Sequence, residues 1–107
     1  MPAMDSFEVI ADPTRRKLIT LLADGEHKVG DLVAHFDISF SAISQQLRIL
    51  SEANVVRSRR EGRAQIYRLE PASLDPVADW LAQYAGRFWR KKLGALHGVL
   101  RRMKDET

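Results

Sequence analysis

Apolar residues recur three and four positions apart along most of this chain, which is the spacing of helices that bury one face. The pattern predicts three helices in the first part of the chain, over residues 5–10, 12–25 and 28–36. Asp12 and Pro13 supply an N-cap and a first-turn proline for the second helix, and Gly25 ends it. The apolar positions of these three helices are Phe7, Val9, Ile10, Leu18, Leu21, Leu22, Val29, Leu32, Val33 and Phe36, of which Leu18, Leu21 and Leu22 form a core stripe.

A fourth helix is predicted after a short link, and two helices joined in this way form a helix-turn-helix unit. Ser39 or Ser41 can cap it, and Ile43, Leu47 and Leu50 fall at i, i+4 and i+7 on one apolar face. The opposite face of this helix is polar. Its short and amide side chains can hydrogen-bond base edges, and glutamine pairs bidentately with adenine. A polar face of this composition is also typical of an ordinary solvent-exposed helix. The polar face consists of Ser41, Ser44, Gln45, Gln46 and Arg48.

An arginine-rich β-hairpin follows without a linker. Asn54 ends the helix, since asparagine tolerates the left-handed conformation, and two strand-like runs surround a turn with Gly62. Residues 55–68 hold five Arg and one Glu, a local charge of +4, whereas residues 1–54 hold five Lys and Arg and eight Asp and Glu, a local charge of −3. The predicted fold is therefore mainly α with a small β-hairpin, a winged helix-turn-helix in the order α-α-α-α-β-β-α.

The function of the hairpin has two interpretations. Charged edge residues commonly block strand addition and improve solubility. An exposed hairpin carrying Arg57, Arg59, Arg60 and Arg63 is also suited to bind phosphates or the minor groove. Its position directly after the candidate recognition helix favours the second interpretation.

A long amphipathic helix is predicted from Asp75 to about Met103. At about 1.5 Å per residue it would be on the order of 40 Å long, more than a domain of this size covers. An exposed apolar stripe usually marks a protein interface. We expect a homodimer in which this helix and the first helix pack against their symmetry mates, the alternative being that the helix folds back as core. The predicted interface residues are Phe7, Val77, Trp80, Leu81, Tyr84, Phe88, Trp89 and Leu93.

Length and composition limit the class of protein. The chain has 107 residues, a formal net charge of +3 and no cysteine. Residues 1–107 are expected to form one domain. Disulfides and thiolate metal sites are excluded. Residues 1–5 lack the basic start of a signal peptide, and there is no apolar run of about 18 residues, so we expect a cytoplasmic protein without membrane contact.

Catalytic and metal-binding motifs are not found in the sequence. It has no nucleophile elbow, phosphate-cradling glycine loop or His-Glu metal box, so we expect neither an enzyme nor a cofactor. Asp31 and His35 fall at i and i+4 of the predicted third helix, with His27 nearby, but such pairs are more often surface ion pairs. We therefore expect no metal site, although the sequence leaves open whether these residues or His97 bind any metal.

Four segments occur in fixed order along the chain: Ala11-Asp12-Pro13-Thr14-Arg15-Arg16, Val29-Gly30-Asp31-Leu32, Ser41-Ala42-Ile43-Ser44-Gln45-Gln46-Leu47-Arg48-Ile49-Leu50, and the wing from Val55-Val56 through Glu61-Gly62-Arg63 to Tyr67-Arg68-Leu69. With them the chain resembles the ArsR/SmtB family of dimeric winged-helix repressors over nearly its whole length. The resemblance implies a sequence-specific DNA-binding dimer that usually binds its own promoter and is released by a small signal, often a metal ion.

The chain departs from the metal-sensing members of that family. Where they carry a Cys-Val-Cys-type box in the third helix, this sequence has Lys28-Val29-Gly30. Other members bind zinc on the C-terminal helix through Asp-x-His and then His-x-x-Glu or His-x-x-His. Here that helix offers only His97, with Leu100 three residues later. Asn54 also replaces the glycine common after the recognition helix.

The sequence therefore predicts a homodimeric repressor that binds a double-stranded DNA operator, with no identified effector. Two alternatives stay open: a winged-helix module that contacts protein or RNA, and a metal-responsive repressor with a non-cysteine site. The uncharged polar helix face favours DNA, since a protein-binding winged helix would more often show an apolar patch there. The predicted DNA-contacting residues are Lys28, Ser39, Ser41, Ala42, Ser44, Gln45, Gln46, Arg48, Arg57, Arg59, Arg60 and Arg63.

Overall fold

The structure is a computed structural model that describes residues 4–105, apart from ten side chains in the last helix. Those side chains belong to Trp89, Lys92, Leu93, Ala95, Leu96, His97, Val99, Leu100, Lys104 and Asp105. The predictions made for Trp89, Leu93 and His97 therefore lie outside the described residues. The elements are α1 Ser6–Ile10, α2 Pro13–Ala23, β1 His27–Lys28, α3 Val29–Val33, α4 Phe40–Glu52, β2 Val56–Glu61, β3 Ala64–Leu69, a 3-10 helix Pro71–Leu74 and α5 Asp75–Asp105.

Side-chain caps determine where the first helices begin. The Asp5 carboxylate accepts from the backbone N–H of Glu8 at 2.8 Å, and the Glu8 carboxylate accepts from the backbone N–H of Asp5 at 3.4 Å, so α1 begins with a capping box. Asp12 caps α2 by accepting from the backbone N–H of Arg15 at 3.0 Å. After the end of α4, Asn54 has a φ of 61°, which confirms the left-handed residue predicted at this position.

The hairpin belongs to a three-stranded antiparallel sheet with the strand order β1-β3-β2. In the pairing of β2 with β3, Val56 lies opposite Leu69 and Arg59 opposite Ile66. Gly62 lies in the turn between these strands with a φ of 63°, a left-handed conformation that glycine adopts without steric strain. The winged helix-turn-helix prediction is confirmed in its main plan.

The segment predicted as one helix over residues 28–36 differs from the observed structure. His27 and Lys28 form the short strand β1, which pairs with Tyr67 and Ile66 of β3, and α3 ends at Val33. The extended backbone at Lys28 is stabilised by its partner strand, which the local apolar pattern does not reveal. The order of elements therefore gains one strand and one 3-10 helix over the predicted order.

The core lies among α1, α2, α3, α4 and the start of the wing. The stripe of α4 is confirmed, because Ile43, Leu47 and Leu50 are fully buried. On α1, Val9 is fully buried and Phe7 is 40% exposed. The buried apolar residues are Val9, Leu18, Leu22, Leu32, Ile43, Leu47, Leu50, Val55 and Val56.

The described residues form two compact units, divided between Pro76 and Val77. The first unit contains the core and the sheet, and the second consists of α5 from Val77 onward. Within the second unit, the rings of Trp80 and Tyr84 meet edge to face with centroids 5.4 Å apart. No helix among residues 4–105 is long and apolar enough to cross a membrane. The one-domain organisation stays a prediction.

Candidate DNA interface

The polar side of α4 is presented outward because its apolar stripe is buried in the core. Ser39 is the N-cap, and its hydroxyl accepts from the backbone N–H of Ala42 at 3.1 Å, which decides between the two capping serines. Ser41, Gln45 and Arg48 are exposed. The other predicted contact residues of this helix are half-buried: Ala42, Ser44 and Gln46.

Phe40, the first residue of α4, is 59% exposed, and sequence analysis did not select it. It lies three residues before Ile43 and therefore continues the apolar stripe by periodicity. The stripe extends past the edge of the core at the helix start, which leaves the ring in solvent. An apolar side chain in this position is suited to contact the methyl group of thymine.

Gln46 differs from its neighbour Gln45 because it is held by a residue from another helix. The Arg15 side chain is only 8% exposed, and its Nη1 donates to Oε1 of Gln46 at 3.1 Å. Its other donors reach α1, where Nε donates to the Val9 carbonyl at 2.8 Å and Nη2 to the Glu8 carbonyl at 3.1 Å. Sequence analysis named Arg15 only as part of a motif, although it lies three residues before Leu18 and seven before Leu22, on the inward face of α2.

Arg57 on the wing pairs within the molecule. Its Nε lies 3.0 Å from Oε1 of Glu70, and Nη1 of Arg68 lies 3.0 Å from the same oxygen. Arg48, at the far end of α4, is likewise paired with Glu52 at 3.1 Å. Each of these arginines is more than half exposed, so the pairs are solvated and contribute little to stability.

Arg59 is paired with carboxylates on both neighbouring segments. Its guanidinium binds Glu26, the residue before β1, and also lies 3.4 Å from Glu61. The hydrogen bond from Arg59, together with the charges of Arg59 and Arg68, lowers the pKa of Glu26 below its ordinary value, against a smaller opposing effect of burial. The same hydrogen bond raises the pKa of Arg59.

Two arginines at the tip of the wing have no carboxylate partner among the described residues. Among residues 4–105, Arg60 and Arg63 have no carboxylate within salt-bridge distance, and both side chains are exposed. Arg60 lies opposite Gln65 in the ladder, one residue from Arg59, so the two neighbouring arginines point to opposite faces of the sheet. The predicted arginine clamp therefore divides into two internally paired residues and two that are available to an anion.

A cavity of about 410 Å³ is lined by residues from the end of α4 and from both strands of the wing. Three guanidinium groups line it, but each has a carboxylate partner, so the cavity carries little excess positive charge. The cavity is lined by Ser51, Asn54, Val56, Arg57, Ser58, Arg59, Ile66 and Arg68.

Lys28 is the remaining residue that the sequence predicted to contact DNA. It is exposed on β1, opposite Ile66 of β3.

The histidine and aspartate residues considered as metal ligands do not converge. Nε2 of His27 lies at hydrogen-bond distance, 3.1 Å, from the carbonyl oxygen of Leu21. His35 comes after α3 has ended at Val33, so it does not share a helical face with Asp31 as the sequence predicted. In the part of the chain that the structure describes, no three acidic or histidine side chains are grouped to hold a metal ion.

A helix-turn-helix with an exposed polar recognition face, followed directly by a basic hairpin, defines a winged helix-turn-helix protein. A family model described as "Bacterial regulatory protein, arsR family" matches residues 12–58. The chain is 37% identical over 81 residues to the transcriptional repressor SdpR of Bacillus subtilis, covering 76% of this chain and 90% of that protein. It is 31% identical over 102 residues to the HTH-type transcriptional regulator Rv2034 of Mycobacterium tuberculosis, covering 95% of this chain and 92% of that protein.

The solved structures agree with these relatives. The crystal structure of a possible transcriptional regulator for arsenical resistance is 44% identical, covers 90% of this chain and 96% of that chain, and superposes with a TM-score of 0.69. The chain belongs to the ArsR family of bacterial regulatory proteins. The family and both relatives are named as regulators, a class of proteins that is not enzymatic.

Proposed function

We propose that this chain is a cytoplasmic, sequence-specific DNA-binding repressor that binds a two-fold operator as a homodimer and controls its own promoter. The observation that carries the proposal is the exposed face of α4, where Ser41, Gln45 and Arg48 lie beside a wing with unpaired arginines at its tip. The name of one relative, a transcriptional repressor, supports repression rather than activation. In this proposal α4 provides sequence-specific recognition, and the wing provides general phosphate binding.

In this proposal α4 reads base edges in the major groove. Gln45 is exposed, and its amide supplies both a donor and an acceptor, which suits an adenine edge. Phe40 adds an apolar contact at the helix start. The wing, through Arg60 and Arg63, contributes phosphate contacts that raise affinity without selecting a sequence.

The dimer in this proposal is formed by the terminal helices. On α5, four large apolar side chains at helical spacing are about half exposed: Trp80 49%, Leu81 48%, Tyr84 60% and Phe88 54%. An apolar patch of this size in a soluble regulator is best explained by a second copy. Two recognition helices must lie about 34–36 Å apart to enter successive major grooves, which a dimer achieves.

The experiment is a gel shift with duplex DNA from upstream of this chain's own gene, compared with random duplex of the same length. Wild-type protein should retard the upstream fragment at a concentration far below that needed for random DNA. Gln45→Ala should weaken specific binding by about 1–3 kcal/mol and leave random binding nearly unchanged. Gln83→Ala, which removes an exposed glutamine of α5, is the matched control and should behave as wild type.

Three results would contradict the proposal or a part of it. Equal affinity of the wild type for upstream and random DNA would exclude sequence-specific repression at that promoter. Equal losses for Gln45→Ala on both duplexes would assign Gln45 to phosphate contact and leave base reading to another part of α4. Binding of single-stranded RNA in preference to either duplex would favour the RNA-interaction alternative.

A further inference from the structure

Two arginines of the wing lie directly opposite each other and bind the same carboxylate oxygen. Arg57 of β2 is the ladder partner of Arg68 of β3. Nε of Arg57 and Nη1 of Arg68 each lie 3.0 Å from Oε1 of Glu70, the residue after β3. Like charges directly opposite each other destabilise a sheet, so the shared carboxylate offsets a repulsion that the register creates.

The two guanidinium groups meet at Glu70 as they would at a phosphate oxygen. A guanidinium carries five N–H donors in a planar fork that matches carboxylate and phosphate groups. Both arginine side chains are more than half exposed, so a ligand from outside can reach them. Donors from two strands that converge on one anionic oxygen form a phosphate-binding arrangement, in which Glu70 takes the place of the anion.

Glu70 is held beside these arginines by its own backbone. Its N–H donates to the Val55 carbonyl at 2.9 Å, and its carbonyl accepts from the backbone N–H of Ser73 at 3.0 Å and from the Ser73 hydroxyl at 2.6 Å. Among the ion pairs of the described residues, Glu70 has the least exposed carboxylate side chain, at 26%. A tethered carboxylate has a high effective concentration at the two guanidinium groups, and a phosphate would have to displace it.

The register places this pair on the face of the wing opposite to Arg60. Alternate residues of a strand point to opposite faces, so Arg57 and Arg59 share one face, and Arg60 shares the other with the buried Val56. The minor groove is about 6 Å wide and has a phosphate backbone along each side, so a wing that lies in it meets phosphates on both faces. Arg60 can serve one backbone, whereas the arginines of the other face all have carboxylate partners.

We infer that Arg57 and Arg68 form a second phosphate-binding site at the base of the wing, and that Glu70 occupies this site and keeps it closed to the DNA backbone. Phosphates are the same in every sequence, so Glu70 lowers the affinity for operator and random DNA alike. Its effect is to limit retention of the protein on DNA that carries no operator. The inference rests on the proposed function, because it requires the wing to lie against a duplex.

The test is the salt dependence of binding to a random duplex, measured by fluorescence anisotropy. Glu70→Gln removes the charge and keeps the size of the side chain, so the slope of log affinity against log salt should steepen by about 0.9 for each arginine that gains a phosphate. Glu61→Gln is the matched control, because it removes a carboxylate from the same face of the wing while Arg59 keeps its partner Glu26. It should change the slope little.

A double-mutant cycle shows whether the released arginines make the new contacts. With Glu70 present, Arg57→Ala and Arg68→Ala should each change the slope little, since neither arginine contacts a phosphate. In the Glu70→Gln background, each of the same substitutions should remove about 0.9 from the slope. Equal effects of Arg57→Ala in the two backgrounds would mean that only the overall charge matters, which would overturn the inference.

The facing arginines could prevent Glu70→Gln from folding, which circular dichroism would reveal. The double variant Arg68→Ala/Glu70→Gln removes the repulsion between them, and its slope should still exceed that of Arg68→Ala by about 0.9.

Three further results would overturn the inference. One is a wild-type slope in Glu70→Gln, and another is an equally large steepening in Glu61→Gln. The third is a loss of about 0.9 in Arg57→Ala or Arg68→Ala with Glu70 present, because the site would then already hold a phosphate. These results, on a duplex that the wild type binds, refute the inference alone. A wild type that binds no duplex would refute the proposed function and the inference together.

Discussion

Arg59 of β2 and Glu26, the residue before β1, form an ion pair that crosses the intervening strand β3. The pair connects the hairpin to the segment that follows α2, and it occupies a guanidinium that the sequence alone assigned to DNA. Because both groups are about half exposed, the pair is solvated and its main effect is on charge distribution. Of the four wing arginines predicted to contact DNA, the two without a carboxylate partner in the described residues are therefore Arg60 and Arg63, at the tip.

The salt dependence of DNA binding should distinguish the two kinds of wing arginine. Arg60→Ala should lower the slope of log affinity against log salt by about 0.9, since each phosphate contact releases condensed counterions. Arg59→Ala should change the slope less, because its charge is already balanced by Glu26. Fluorescence anisotropy over a salt series measures both slopes, with Arg16→Ala as a surface control. Equal slope changes for the Arg59 and Arg60 variants would mean that Arg59 exchanges its carboxylate partner for a phosphate.

The titration of Glu26 should report whether the pair forms in solution. Arg59 holds the pKa of Glu26 below its ordinary value, so the pKa should rise toward that value in Arg59→Ala. A carboxylate with a lowered pKa in the folded protein contributes stability above its unfolded pKa, and this contribution is lost as the pH falls through the folded pKa. Carboxylate NMR shifts followed from neutral to acidic pH give the pKa. An unchanged value in the variant would show that the pair is not populated.

The dimer should depend on the apolar face of α5. Tyr84→Glu places a charge on the exposed stripe, and we expect it to produce monomers with much weaker operator binding, since one recognition helix then loses its linked partner. Sedimentation velocity measures the association state. Ala82→Glu introduces the same charge on the opposite side of the helix and should stay dimeric. A dimeric Tyr84→Glu protein with normal operator affinity would move the interface elsewhere.

Asn54, which follows α4, should be sensitive to substitutions that disfavour a positive φ. Asn54 adopts a φ of 61°, a conformation that costs an ordinary L-residue about 1–2 kcal/mol. Asn54→Ala should lower the free energy of unfolding by about 1 kcal/mol, whereas Asn54→Gly should be nearly neutral. Urea unfolding followed by circular dichroism compares the two. A loss of the same size in both variants would point to a role of the amide in the neighbouring cavity instead.

Metal ions should not release the protein from its operator. The chain has no cysteine, and a site would have to be assembled from histidines and carboxylates that are not grouped in the described residues. Operator binding in the presence of zinc, copper or cadmium at modest excess should equal binding in chelator. Tight stoichiometric zinc binding that lowers operator affinity about tenfold, a coupling of about 1.4 kcal/mol, would contradict this prediction.

Local information in the sequence was sufficient for α1, α2 and α4 and for the buried face of α4. The stripe of Ile43, Leu47 and Leu50, the cap of α2 and the left-handed Asn54 each depend on residues within one or two turns of the chain. Periodicity and capping chemistry act at that range, so the pattern predicts them. The family resemblance, carried by the segments from the second helix to the wing, was also confirmed. It depends on the order of residues in the sequence and on no tertiary contact.

Only the tertiary structure decided which polar groups are free to meet DNA. Arg15 and Gln46 are 31 positions apart, and Arg59 and Glu26 are 33 apart, so no local pattern links either pair. Strand β1 has two residues and exists because β3 supplies its hydrogen-bond partners. Hydrogen bonds and ion pairs depend on the distance between groups in space, which the packing of the core determines. Residues of the same type on one helix or on the wing therefore differ in whether they can contact DNA. The difference depends on which side chains the fold packs against them.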